Sequence, residues 1–85
     1  MNTRRVTPKP PLPAELMRLS LGLRRRQVAK VIGISFRTLE RIEQGRTWGR
    51  PETLRSIAEV LGVDPEVYVV AALRSWQQAK ARKVA

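Results

Sequence analysis

The sequence lacks the residue types on which many functional sites depend. Its 85 residues include no cysteine and no histidine. Disulfide frameworks, thiolate or imidazole metal sites and histidine-based catalytic triads are therefore excluded. A chain without cysteine is typical of a reducing compartment, which predicts a cytoplasmic protein.

Other signals are missing as well. No apolar run reaches the ~18 residues of a membrane span, and the N-terminus has no apolar core of a secretory signal. Acidic residues are scattered singly, and no glycine-rich phosphate loop appears. We therefore expect no membrane partner, no cofactor, no evident small-molecule effector and no enzymatic activity.

Negative charge is scarce compared with positive charge. Lys and Arg total 17 against 7 Asp and Glu, which gives a net charge of +10. Such a surplus on a chain long enough for only one small domain predicts an anionic partner. Aromatic residues make up 5% of the chain and hydrophobic residues 42%, which suits a modest helical core.

Residues 25–44 carry the clearest structural pattern. Their apolar residues recur with helical spacing, which predicts two short helices joined by a tight turn. The expected inward residues are Val28, Ala29, Ile32, Ile34, Leu39 and Ile42. Gly33 suits the turn, Ser35 suits the N-cap of the second helix, and Gly45 suits its C-terminal end.

The chain before this unit divides into an arm and a helix. Residues 1–13 contain Arg4, Arg5 and several prolines, which predicts a flexible basic arm. The arm either follows DNA or is an unattached tail. Pro13 to Ser20 is predicted to be a helix, with Leu16 and Leu19 inward and Met17 as a further candidate.

Two further helices follow residue 50. Pro51 opens a helix with a regular apolar stripe, Leu54, Ile57, Ala58 and Leu61. Asp64 and Pro65 then begin a last helix that we expect to end near Ala81. The fold class predicted from these elements is all-α, with five helices in one domain over residues 14–83.

Three consecutive arginines open the second helix. Arg24, Arg25 and Arg26 stand at its positive end, where each cation is disfavoured by about 0.3–1 kcal/mol. A bound phosphate would relieve this cost, so the triplet is a candidate phosphate site. The alternative is three solvated arginines with a small loss of stability.

The outward face of the third helix is the candidate reading surface. Arg37 and Arg41 point away from the apolar stripe, and arginine reads guanine in the major groove. Phe36 either meets a thymine methyl group or packs on apolar neighbours. Glu40 either accepts from a cytosine amine or tethers Arg37 or Arg41.

The loop after the third helix and the last helix each leave two interpretations open. Arg46 and Arg50 can grip phosphate, while Trp48 joins them or covers the core. In the last helix, Val70, Leu73 and Trp76 lie roughly on one face together with Val67. That face packs within the chain or against a second copy, which makes Val70, Leu73 and Trp76 dimer candidates.

The chain resembles the Cro/C1-type helix-turn-helix (XRE) family of bacterial and phage DNA-binding regulators. The resemblance runs from about Leu16 to Val69 through the segments LGLRRRQVAKVIGIS, FRTLERIEQGR and TLRSIAEVLGVDPEVYV. It implies a five-helix, lambda-repressor-like fold whose third helix enters the major groove. The family usually works as a dimer on an inverted repeat.

The resemblance also implies roles for individual residues. Base contacts are expected from Phe36, Arg37 and Arg41, with Thr38 or Ser35 near a base or phosphate. Backbone contacts are expected from Arg25, Arg46 and Arg50, and an interior ion pair from Arg18 and Glu43. The arginine triplet and Phe36 depart from the family pattern, so the target sequence cannot be copied from relatives.

These observations predict a sequence-specific binder of double-stranded DNA. The main hypothesis is a transcriptional repressor that occupies an operator with inverted-repeat symmetry as a homodimer. One alternative is the antitoxin of a toxin–antitoxin pair that regulates its own synthesis through the same fold. Another is a basic nucleic-acid-binding protein without sequence preference.

Overall fold

A computed structural model describes residues 11–84 of the chain. Its helices are α1 (Pro13–Ser20), α2 (Arg25–Ile32), α3 (Phe36–Glu43), α4 (Pro51–Leu61) and α5 (Pro65–Val84). No strand occurs in this part of the chain. The all-α prediction is confirmed, although α5 continues to Val84 instead of ending near Ala81.

The core forms where α2, α3, α4 and α5 meet. Four of the six residues predicted to face inward from 25–44 are fully buried, Val28, Ala29, Leu39 and Ile42, and the other two pack against them in part. The α4 stripe is buried as predicted. Tyr68 of α5 is the largest fully buried side chain, so the last helix supplies the centre of the core.

Helix α1 faces the core with a different side from the one predicted. Leu16 and Leu19 are 53% and 46% exposed, whereas Ala14 and Arg18 are buried. The backbone N–H of Ala14 donates to Ser75 Oγ at 2.9 Å, which brings α1 close to α5. Ala14 faces α5 because a bulky leucine there would hold the two helices apart, and Arg18 faces inward because it is paired with Glu43.

The chain packs against the domain before α1 begins. Leu12 is buried, and its carbonyl accepts the first turn's hydrogen bond from Leu16 N–H at 2.8 Å. Leu12 and Pro13 therefore belong to the folded domain and not to the predicted arm. Pro11 is exposed, and residues 1–10 of that arm lie outside the described residues.

The turns around α3 fix its position. Ser35 caps the helix as predicted, since its Oγ accepts from Thr38 N–H at 3.0 Å. Gly45 has φ +72°, and a Cβ there would collide with the Ser75 backbone and lie 2.9 Å from Ala79 Cβ. The end of α3 is therefore pressed against the middle of α5, where only glycine fits.

None of the helices within residues 11–84 combines the length and the hydropathy needed to cross a bilayer.

Candidate nucleic-acid interface

A buried ion pair joins α1 to α3. Arg18 Nε donates to Glu43 Oε2 at 2.6 Å, and Arg18 Nη2 donates to Glu43 Oε1 at 3.1 Å. Both residues are buried, and Arg18 also donates to the Leu23 carbonyl at 2.8 Å. The interior pair that the family resemblance implies is present, and its two-point geometry fixes the orientation of α3 relative to α1.

Arg25 is drawn into the same network. Its Nε donates to Glu43 Oε1 at 2.9 Å and its Nη2 to Glu15 Oε2 at 3.1 Å. Its Nη1 lies 3.6 Å from Glu40 Oε2, and its side chain is only 16% exposed. Arg25 is one of the residues predicted to contact phosphate, yet its guanidinium faces three carboxylates. We therefore give it a structural role.

Phe36 stands at the start of α3 between two arginines. The Cζ atoms of Arg25 and Arg26 lie 5.6 and 5.2 Å from its ring centroid, within the range of cation–π attraction. The ring is 38% exposed. These two guanidinium groups hold the ring at the start of α3 while leaving it partly open to solvent.

The arginine triplet and Phe36 share one surface cleft. Its lining residues are Glu15, Arg18, Arg24, Arg25, Arg26 and Phe36. Arg24 and Arg26 are exposed, unlike Arg25. The Arg24 N–H donates to Gln27 Oε1 at 3.1 Å, which caps the start of α2. Only two of the three arginines predicted as a phosphate site are therefore readily accessible to an anion.

The outward side of α3 presents a short row of polar side chains. Arg37 and Arg41 are exposed there, on the opposite side from buried Leu39 and Ile42, and exposed Thr38 lies at the edge of that side. The hydroxyls of Ser35 and Thr38 lie 2.8 Å apart. Glu40 is half-buried, and its Oε2 lies 3.6 Å from Arg25 Nη1, so its ion pair is with Arg25 and not with Arg37 or Arg41. The exposed side of α3 is positively charged because the carboxylate of Glu40 is paired with Arg25.

The loop from Gly45 to Arg50 contacts α5 through a pair of tryptophans, one on each element. Arg46 and Arg50 are exposed. Trp48 is 43% exposed, and its ring meets Trp76 of α5 edge to face, with centroids 6.0 Å apart. Trp48 thus covers Trp76 instead of the central core. Trp76, predicted as a dimer candidate, is turned towards this loop and not towards the face that carries Val70.

The other two dimer candidates, Val70 and Leu73, remain on the surface beside Val67. Val67, Val70 and Leu73 are 50%, 47% and 37% exposed. A groove between α1 and α5 includes Val67 and Val70 with Leu16 and Met17. The predicted apolar face of α5 therefore continues onto α1. The sequence did not indicate this, because Leu16 was predicted to face the core.

Two residues of these surfaces, Glu15 and Lys80, were not predicted from the sequence, for different reasons. Glu15 completes the network around Arg25, but nothing in a sequence links carboxylates on separate helices to one arginine. Lys80 lies with its Nζ 4.5 Å from the Trp76 ring centroid. Its spacing of four residues from Trp76 on one helix is a signal that could have found it.

Tyr68 lies under the ion network. Burial raises the pKa of its hydroxyl well above the ordinary value of 10.0, and the nearby charge of Glu43 raises it further, against a smaller opposing effect of Arg18. The hydroxyl has no hydrogen-bond partner among the described residues. Tyr68 is therefore neutral at physiological pH, and its contribution to the core is the apolar packing of its buried ring.

The carboxylates in this region are paired with arginines. Within residues 11–84, no group of three or more acidic, histidine or cysteine residues has an arrangement suited to metal binding. The surface around α3 thus offers cations, a hydroxyl and an aromatic ring, which suit a polyanion with flat bases.

Comparison with known proteins agrees with this geometry. A family model described as helix-turn-helix matches residues 15–68, a segment that spans α1 to the first turn of α5. Searches of curated proteins and of solved structures gave no match. The matched segment contains the α2–turn–α3 unit and the buried ion pair. The chain therefore belongs to the Cro/C1-type helix-turn-helix (XRE) family of DNA-binding transcription regulators.

Proposed function

We propose that this regulator recognises a specific operator through α3 and represses transcription by occupying that operator as a homodimer. The observation that carries the proposal is the exposed row of Arg37, Thr38 and Arg41 on a helix whose opposite side is locked into the core. A helix held rigidly from behind can place its side chains on base edges with little further ordering cost.

The chemistry of this row suits the major groove. An arginine can donate two hydrogen bonds to O6 and N7 of guanine, and each such contact discriminates by about 1–3 kcal/mol. The Thr38 hydroxyl can donate or accept, and the Phe36 ring can meet a thymine methyl group. Glu40 is not included among the primary base readers, because it faces Arg25.

Phosphate contacts are assigned to cations around α3. Arg24 and Arg26 are exposed at the start of α2, and Ser35 lies at the start of α3. Arg46 and Arg50 are exposed in the loop beyond its end. A helix in the major groove lies between two phosphate backbones, so cations before and after α3 can contact one backbone each.

A homodimer is supported by the apolar surface of α5 and α1. Val67, Val70, Leu73 and Leu16 are all more than a third exposed, and neighbouring apolar side chains in water favour association. A two-fold dimer presents two copies of α3, which would bind half-sites about one helical turn (~34 Å) apart. Bound there, it would block access to overlapping promoter DNA.

Selection of bound duplexes from a random pool tests the specificity directly. We expect an inverted repeat to emerge, with at least one conserved guanine in each half-site. The selected site should be preferred over random duplex by about 10³ or more at physiological salt. Enrichment without any common sequence would favour a non-specific binder. Co-purification of a bound protein encoded beside it would favour the antitoxin alternative.

Substitution of the reading residues locates the interface. Arg37→Ala or Arg41→Ala should weaken the selected site by about 1–3 kcal/mol and relax one base position each. Arg24→Ala is the matched control, because loss of a phosphate contact weakens all sequences alike. Base preferences that survive both α3 substitutions would show that another surface reads the DNA.

A further inference from the structure

The C-terminal part of α5 lies beside the end of the helix proposed to read DNA. Gly45, immediately after α3, is in close contact with the Ser75 backbone and the Ala79 side chain. Residues of α5 beyond Ser75 are thus carried at a fixed position next to the loop that contains Arg46. They lie outside the segment 15–68 that the family model matches, so membership of the family does not assign them a role.

Two cations and two aromatic rings meet at this position. Lys80 Nζ lies 4.5 Å from the centroid of the Trp76 ring, and Trp48 packs edge to face on the same ring. A surface pocket here is lined by Gly45, Arg46, Trp76, Ala79 and Lys80. We call this group of five residues the α5 shelf. Cation–π attraction restrains the long lysine side chain, which reduces the entropy lost when it binds a ligand.

The charge of the segment points to an anion. After Glu66 the sequence contains Arg74, Lys80, Arg82 and Lys83 but no acidic residue. No carboxylate lines the shelf pocket itself. The carboxylates Glu15, Glu40 and Glu43 are paired with Arg18 and Arg25, and Glu43, the one nearest to the shelf in sequence, is buried. The potential at the shelf is therefore positive.

We propose that the α5 shelf binds phosphates of the DNA backbone that flank the bases read by α3. The inference rests on the proposed mode of DNA binding. The shelf adjoins the C-terminal end of α3, so a backbone that borders the groove passes the Arg46 loop and then Lys80. Helix α5 thereby extends the contact with DNA beyond the helix-turn-helix unit, and it does so without reading sequence.

The salt dependence of binding tests the shelf. In the full chain, Lys80→Gln should lower the magnitude of the slope of log affinity against log salt by about 0.9, the value of one lost phosphate contact. At about 0.1 M salt this corresponds to a roughly eight-fold loss of affinity. Base preferences in the random-pool selection should not change, because phosphates carry no direct sequence information.

Arg55→Gln is the matched control. It removes one exposed positive charge from α4, in a groove shared with Pro65, Glu66 and Val69 and outside the shelf. Its salt slope should equal that of the wild type. An equal change in both variants would mark a general effect of net charge and would overturn the shelf. An unchanged slope in Lys80→Gln would overturn it as well.

Shortening the duplex gives a second readout. Removing the base pairs that flank the selected site should abolish the difference between wild type and Lys80→Gln, while the wild type still prefers its site. A difference that persists on the shortened duplex contradicts the flanking contact. Failure of the proposed function can be distinguished from failure of the shelf. If the protein does not recognise a specific operator, the selection yields no common sequence. A salt slope lowered only in Lys80→Gln would still show a phosphate contact at the shelf.

Discussion

Arg25 and Arg37 illustrate two regions of the molecule with the same side chain and opposite roles. Each lies in the first turn of a short helix. Arg25 contacts Glu15, Glu40 and Glu43 and is mostly buried, whereas Arg37 is exposed on the outward side of α3. One therefore holds helices together, and the other is available to a partner.

The difference teaches how this small domain distributes charge. Three of its seven acidic residues surround Arg25, so they are not available to neutralise the arginines of the outer surface. The interior network and the positive face of α3 are consequences of one arrangement. Among the described residues, the exposed arginines of α3 and the loop after it have no carboxylate partner within 4 Å, which strengthens attraction to DNA.

Breaking the interior network should give the largest effect. Glu43→Gln leaves buried Arg18 without its closest counter-charge, and breaking a buried pair in this way costs about 3–5 kcal/mol of the free energy of unfolding. Urea denaturation monitored by circular dichroism measures the loss. Glu59→Gln, an exposed substitution on α4, is the control and should remain within about 0.5 kcal/mol. Similar stability in the two variants would contradict a structural role for the pair.

Comparison of Arg25 with its neighbour Arg26 sharpens the division between the two regions. Arg25→Ala should cost about 1–3 kcal/mol of stability, because Glu43 and Glu15 lose a donor. It should also alter preference at the base nearest Phe36, whose ring it contacts. Its salt slope should not change. Arg26→Ala should instead lower the magnitude of that slope by about 0.9.

The same two variants can also contradict the structural role given to Arg25. If Arg25→Ala reduces the salt slope as much as Arg26→Ala does, then Arg25 leaves its carboxylates to bind phosphate, as the family resemblance implies. Salt titrations on one operator fragment, together with denaturation of each variant, separate the two outcomes.

Tyr68 should give the smallest effect and a distinctive pH dependence. Tyr68→Phe removes a buried hydroxyl that has no partner among the described residues, so stability should stay the same or rise by up to about 1 kcal/mol. Because burial raises the pKa of Tyr68 above 10.0, the unfolded chain loses this proton first. Wild-type stability should therefore fall faster than that of the variant as pH rises above about 10. Parallel pH profiles would contradict the raised pKa.

The sequence predicted the local structure because local signals were strong. Ser35 caps the start of a helix with its hydroxyl, and Gly33 and Gly62 end helices with positive φ angles. In α4 the apolar residues lie along one side of the helix, so only that side can face the core. The outward position of Arg37 and Arg41 follows from the helical period once Leu39 and Ile42 face the core. The class of fold, the helix-turn-helix unit and the candidate reading row were therefore accessible from the residues alone.

Helix α1 was harder to orient from its sequence. It offers several apolar residues on more than one side, so periodicity chose Leu16 and Leu19. The structure instead buries Ala14 and Arg18, because Glu43 supplies a charge partner and α5 approaches closely. Neither condition is visible within the eight residues of α1.

The sequence by itself determined that this chain is a basic, all-helical domain whose third helix turns arginines outward, because helical periodicity and end-capping act over only a few neighbouring residues. Only the tertiary structure decided which other arginines stay accessible and what lies beside them. Ion pairs such as Arg25 with Glu15, and contacts such as Trp76 with Trp48, join positions far apart in the chain. Their formation depends on how the helices pack, and no local pattern encodes it.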